Sequence, residues 1–156
     1  MHSIARNISA ATWARTRGKL WLINTREERN RAEQYRQSLS IRTPNVAQLV
    51  SNLSGGNKQK VSLAKWLIAD PEILIIDEPT VGIDIKTKYE IHDLVVQLAE
   101  QGMAIILVSS DLPEMIRLAD RILVFREGQV LGSHTNTKDY EHMSEIVMSS
   151  IMSQRK

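Results

Sequence analysis

Leu53-Ser54-Gly55-Gly56-Asn57 stands one helix length ahead of Ile73-Leu74-Ile75-Ile76-Asp77-Glu78-Pro79-Thr80, and these two stretches decide how the chain is read. Ser54-Gly55-Gly56 opens a segment in which Val61, Ala64, Leu67 and Ile68 recur at helical spacing. Asp70-Pro71 closes it. Ile73 to Ile76 is a continuous apolar run, mostly β-branched, and such a run is expected to be a strand buried on both faces of a parallel sheet. Each polar tip has two readings. Glycines at a helix start let an anion approach outward-pointing N–H groups, and the helix dipole favours it. Ser54 is equally a preferred N-cap of an ordinary helix. Asp77-Glu78 falls where open parallel sheets bind ligands, beyond the carboxyl end of a strand. There the first carboxylate can hold Mg²⁺ and the second can orient or deprotonate a water. An acidic turn after any strand looks the same.

Working outward, a helix is expected from about Lys86 to Gln101, with Tyr89, Ile91, Leu94, Val95 and Leu98 inward and Gly102 as its stop. Ala104 to Val108 reads as a second buried strand, Leu112 to Ala119 as a short helix, and Ile122 to Phe125 as a third strand. Glu127-Gly128 turns the chain into Val130-Leu131, and a last helix is expected over Lys138 to Met152. Upstream, residues 26–41 are charged and helix-prone behind Thr25, and Pro44 ends them. This alternation of strands and helices is that of an α/β layer fold.

Composition narrows the function. The 156 residues fit one domain, and a net charge of +2 is too small to imply nucleic-acid binding. Arg15, Arg17, Lys19, Arg26, Arg29, Arg31 and Arg36 cluster early, but Glu27, Glu28 and Glu33 interleave with them, as on a solvated helical face. With no cysteine there is neither a disulfide nor a thiolate metal site. No apolar run reaches the roughly 18 residues needed to span a bilayer, so a membrane role is expected to come through a partner.

Taken together the motifs are far more specific than apart. By average usage a Leu-Ser-Gly-Gly string arises roughly once in tens of thousands of positions. Followed by an apolar strand ending in Asp77-Glu78-Pro79-Thr80, it resembles the signature motif and Walker B motif of the ATP-binding cassettes of ABC transporters. Val81-Gly82-Ile83-Asp84 resembles the D-loop of that family, and Ser110 stands where the family places a switch histidine. Asn57, Ser109-Ser110 and Leu112-Pro113-Glu114 are similar to the second cassette of tandem sugar-importer ATPases, although Val81 departs from the arginine often found there.

The resemblance implies a partial P-loop NTPase fold of the ABC ATPase type: a parallel-sheet core with a helical subdomain. It implies ATP and Mg²⁺ as cofactors. Asp77 would be the metal residue and Glu78 the catalytic carboxylate, with Ser110 at the switch position. Ser54, Gly55, Gly56 and Asn57 would contact nucleotide held by a companion cassette, and Asp84 would reach across the dimer. The implied partners are that cassette and a transmembrane permease at the inner face of the cell membrane, with no nucleic acid and no direct contact to the sugar. Residues 1–52 are expected to belong to the helical subdomain, 53–135 to the ATPase core and 136–156 to a C-terminal helix.

The chain carries no Gly-x-x-x-x-Gly-Lys-[Ser/Thr] phosphate loop. Gly18-Lys19 is its only Gly-Lys pair, with Trp13 and Leu20 at the flanking positions, so the phosphate-loop lobe of a cassette is expected to be missing. Without it, a buried strand is expected to become an exposed apolar edge that invites aggregation. His2, His92, His134 and His142 share no metal-ligand spacing. Trp13, Trp21, Trp66, Met143, Met148 and Met152 are expected to pack, and Lys58, Lys60 and Lys65 to lie on a solvated helix face.

Overall fold

A computed structural model describes residues 2–13 and 25–152. Gly18-Lys19, Trp21 and the basic residues between 15 and 19 lie outside the described residues. The chain divides into two compact units, 1–74 with 79–105, and 75–78 with 106–156.

The first unit is mainly helical. Helix α1 (Ile4–Ser9) buries Ile4, Ala5 and Ile8 against α2 (Thr25–Ser38) and α3 (Gly55–Leu67). The Ile4 and Ala5 amides donate to the Gln48 and Val46 carbonyls, both at 2.9 Å, which ties α1 to the segment between α2 and α3. As its composition predicts, α2 is a solvated helix. Ala32 is its one buried residue, and Glu27–Arg31 and Glu33–Arg36 pair along its surface at 2.7 and 2.6 Å. The Tyr35 hydroxyl donates to the Leu67 carbonyl at 2.9 Å, tying α2 to the end of α3. Burial raises the Tyr35 phenol above its ordinary pKa.

Val61, Ala64, Leu67 and Ile68 are buried, as their spacing predicts. Lys60 is a correction: it is 4% exposed, not on the solvated face. Trp66 is another. It is 52% exposed, on the side of α3 away from the core, with the Lys65 ammonium 4.9 Å from its ring centroid.

Helix α4 (Ile85–Glu100) lies within a residue of its expected bounds. Gly102 follows it at a φ of +94° and donates to the Ala99 carbonyl, so the predicted stop is a left-handed turn that suits glycine. Its inward face is shifted. Ile91, Val95 and His92 are buried, while Tyr89 is exposed.

Strands β1 (Ile73–Asp77) and β2 (Ala104–Val108) pair. Ala104 N–H donates to the Glu72 carbonyl at 3.1 Å and Glu78 N–H to the Val108 carbonyl at 2.8 Å, a parallel progression. The expectation of burial on both faces is corrected. Leu74 and Ile76 are buried, but Ile73 and Ile75 are 59% and 66% exposed, and Ile106 and Val108 are exposed as well. Along a strand, side chains alternate between faces, and only one face of β1 is covered here.

In the second unit, α5 (Leu112–Leu118) is followed by an antiparallel hairpin of β3 (Arg121–Arg126) and β4 (Gln129–Thr135), then by α6 (Tyr140–Met152). Ile116, Ile122, Val124, Met143 and Val147 form its core. Met148 and Met152, expected to pack, are exposed because Met143 and Val147 take the inward face of α6.

Candidate functional site

A polar constellation lies in each unit. In the first unit, Ser54 is the N-cap residue of α3 with extended φ and ψ of −62° and 160°, yet its side chain makes no capping hydrogen bond. Its Oγ instead accepts from Asn57 Nδ2 at 2.9 Å, and Asn57 Oδ1 accepts from the Arg42 backbone N–H at 2.8 Å. The plain N-cap reading of Ser54 is therefore not the arrangement found. The first-turn amides of α3 are not taken by a cap, and a helix start in that state presents N–H donors and positive partial charge outward.

Gly55 and Gly56 are small for different reasons. A Cβ built on Gly56 would lie 2.2 Å from Thr87 Cγ2, so α4 is seated directly on the second glycine. A Cβ on Gly55 would meet the Gly82 carbonyl oxygen at 3.5 Å, an ordinary contact. Asp84 is the N-cap of α4. Its Oδ1 accepts from the Thr87 N–H at 3.0 Å and its Oδ2 from the Thr87 hydroxyl at 2.7 Å. These bonds hold the Asp84 carboxyl below its ordinary pKa, the Thr87 hydroxyl contributing most. Behind this layer, the buried Lys60 ammonium reaches Glu90 Oε2 at 2.8 Å, and Arg42 Nη2 reaches Glu90 Oε1 at 3.2 Å. The Lys60 hydrogen bond is the main reason the Glu90 carboxyl sits below its ordinary pKa. The structure thus brings Ser54, Gly55, Gly56, Asn57 and Asp84 into one unit.

In the second unit, Asp77 ends β1 with an exposed side chain, and Glu78 follows at a φ of +45°. Left-handed backbone is uncommon for a residue with a Cβ, and Pro79 pushes its predecessor further toward extended values. Such outliers are held by their surroundings and collect at functional sites. Two bonds hold this one: Glu78 N–H to the Val108 carbonyl at 2.8 Å, and Ser110 N–H to Glu78 Oε1 at 2.9 Å. The loop bearing Ser110 is fixed in turn. Ser109 Oγ donates to Glu114, 1% exposed, at 2.6 Å, and accepts from the Asp111 N–H at 3.0 Å. Asp111 caps α5 through the Glu114 N–H at 2.9 Å.

Sequence reasoning missed Thr87, Arg42, Lys60 and Glu90 around the first constellation, and Ser109 and Glu114 as supports of the second. Asp111-x-x-Glu114 has capping-box spacing, which was the available signal there. Lys60 and Glu90 are thirty positions apart with no local pattern between them.

The family described as ABC transporter matches residues 2–81. The arabinose import ATP-binding protein AraG of Yersinia pestis is 46% identical over 145 residues, which is 93% of this chain and 27% of that protein. The ribose import ATP-binding protein RbsA of Clostridium perfringens (strain 13 / Type A) is 46% identical over 130 residues, 83% of this chain and 26% of its own length. The chain thus spans about a quarter of the length of these curated relatives. Among solved structures, a dimeric ATP-binding cassette in a post-hydrolysis state, bound to ADP and Pi, aligns with a TM-score of 0.74 at 25% identity, over 86% of this chain and 57% of that one. An inward-facing metal-chelate type ABC transporter aligns at 0.80 and 15% identity over 97% of this chain and 58% of its own, a likeness of fold alone.

Proposed function

The chain belongs to the ABC transporter ATPases, and from that premise we propose that it is the signature-bearing part of the ATP-binding subunit of an ABC-type carbohydrate importer, where ATP binding and hydrolysis are coupled to transport. The observation that carries this reading is the start of α3, where Ser54 does not cap its own helix. The side chains of Asn57 and Asp84 are likewise held within the unit. The first-turn amides of α3 are not taken by a side-chain cap, and donors of that kind suit a phosphate.

In this reading Ser54, Gly55 and Gly56 close over ATP held by a companion cassette, and Asp84 belongs to the face that meets it. Asp77 holds Mg²⁺ and Glu78 orients or deprotonates the attacking water. The residues fit that metal. Mg²⁺ takes one or two carboxylates and keeps water and phosphate oxygens for the rest. Asp77 offers one exposed carboxylate of that kind. When bound, the ion neutralises charge on the transferring phosphoryl group. Ser110 has a shorter, uncharged side chain than the histidine usual at its position and contributes a weaker phosphate contact. The relatives are import ATP-binding proteins, so the natural seat is a transmembrane permease at the inner face of the membrane, with the sugar bound elsewhere. No helix of the described residues is long and apolar enough to cross a membrane.

A second reading assigns the 156 residues, which hold no phosphate loop, a role in trans only. In it the chain hydrolyses nothing alone and only lends its signature to a companion. ATP turnover should be measured for the chain alone, and in mixture with a sugar-import cassette whose own signature serine is replaced by alanine. The expected outcome is stimulated turnover by the companion, lowered roughly tenfold or more by Ser54→Ala in this chain. Turnover by the chain alone would sink the second reading, and an unchanged companion would sink the assignment of the signature.

A further inference from the structure

Ser54 and Asn57 occupy the N-cap and third helical positions of α3, where a serine usually accepts a hydrogen bond from the backbone N–H of that third residue. Here the side chain of the third residue takes that place. The direction of the Asn57 amide is fixed by chemistry. A backbone N–H can only donate, so the Asn57 atom 2.8 Å from the Arg42 nitrogen must be the carbonyl oxygen. The amide nitrogen is then the atom 2.9 Å from Ser54 Oγ, and it can only donate. Ser54 Oγ must therefore accept from Asn57, and its own proton points away from that contact. Neither Gly56 N–H nor Asn57 N–H is spent on the Ser54 side chain.

We infer that Asn57 is a positioning residue: its side-chain amide, oriented by Arg42 N–H, turns the Ser54 hydroxyl into an outward donor for an anionic oxygen and leaves the helix amides open beside it. This rests on the reading of the α3 start as a phosphate contact. It differs from a direct nucleotide contact by Asn57, because both functional ends of that side chain are already engaged within the chain.

The test is a double-mutant cycle of Ser54→Ala and Asn57→Ala, read as the chain's stimulation of the companion cassette, with melting temperature as a fold control. If Asn57 acts through Ser54, each single variant lowers stimulation by about tenfold, and the double variant is no worse than Ser54→Ala. Multiplying losses would overturn the inference, because they require Asn57 to act on the nucleotide independently of Ser54. A second readout uses the unmixed chain. The Asn57 side-chain NH₂ resonances should shift in Ser54→Ala by NMR, while core resonances stay in place. Unmoved resonances would overturn the inference whatever the turnover shows. Failure of the wild-type chain to stimulate overturns the functional reading instead, and the NMR result still decides the role of Asn57.

Discussion

At the start of α3 the side-chain acceptors are engaged by donors of their own unit, whereas at the end of β1 the Asp77 carboxylate is exposed and Glu78 spends one oxygen. Ser54 Oγ, Asn57 Oδ1 and both oxygens of Asp84 accept bonds from within their own unit. Asp77 is exposed, and Glu78 gives one oxygen to a backbone N–H. The first arrangement suits an anion, the second a cation or a water to be deprotonated. They also differ in backbone. Ser54 is relaxed and extended, while Glu78 is held at a left-handed φ of +45°. The donor site is assembled by side-chain bookkeeping, the acceptor site by a local backbone constraint tied to the neighbouring strand.

The largest expected effect falls on the two glycines, and it separates seating from binding. Gly56→Ala places a methyl 2.2 Å from Thr87 Cγ2 and 2.9 Å from Thr87 Cβ, so α4 must shift. Overpacking of this kind costs about 1–3 kcal/mol and should also remove companion stimulation. Gly55→Ala meets only ordinary contacts and should change stability by less than about 0.5 kcal/mol, yet its methyl shields the helix start and should lower stimulation. Urea midpoints and turnover of both variants check this. Equal destabilisation by the two would mean that α4 does not rest on Gly56.

A middle-sized effect is expected behind the donor site. Glu90→Gln removes the negative charge opposite the buried Lys60 ammonium, leaving it only neutral oxygen acceptors such as the Ser40 carbonyl at 3.4 Å, and should cost about 1–2 kcal/mol at neutral pH. Its pH signature is more telling. The Glu90 carboxyl is held below 4.5, its ordinary value, mainly by the Lys60 hydrogen bond. Its contribution is therefore complete above the ordinary value and lost as pH falls through the lowered one. Glu90→Gln should flatten the part of the acid limb that lies below pH 4.5 in denaturation curves. An unchanged acid limb would show that the pair does not contribute.

These supports mark where sequence reading stops. The helix behind Ser54, the strand ending in Asp77 and the stop at Gly102 were legible, because each is written in local spacing and local backbone preference. Lys60 was misread as solvated, since its partner lies thirty positions away and helical periodicity contains nothing about it. Of the two expectations for β1, burial on both faces fails at Ile73 and Ile75, while apolar exposure of a strand is found, because an apolar run reports only what a strand can bury. Tyr89, expected inward, is exposed while His92 is buried, for a similar reason: packing, not hydropathy, chose the inward face of α4. The candidate residues were all named from sequence. What holds them, from Thr87 on Gly56 to Glu114 beneath Ser109, was not, apart from the capping-box spacing at Asp111.

The smallest effect concerns the acceptor site, and it asks whether charge or shape fixes Glu78. Glutamine keeps an oxygen where Oε1 accepts from Ser110 N–H, and the left-handed backbone at residue 78 is the same for either side chain. Glu78→Gln should therefore leave stability within about 0.5 kcal/mol of wild type, and the Ser110 amide should stay protected from hydrogen exchange. Glu78→Ala removes the acceptor and should expose that amide, at a cost of about 0.5–1.5 kcal/mol. If Glu78→Gln loses protection as fully as Glu78→Ala, the carboxylate charge itself holds the Ser110 loop. The acceptor site would then be built by electrostatics, like the Lys60–Glu90 pair behind the donor site, and the contrast between the two units would narrow to the backbone conformation of Glu78 alone.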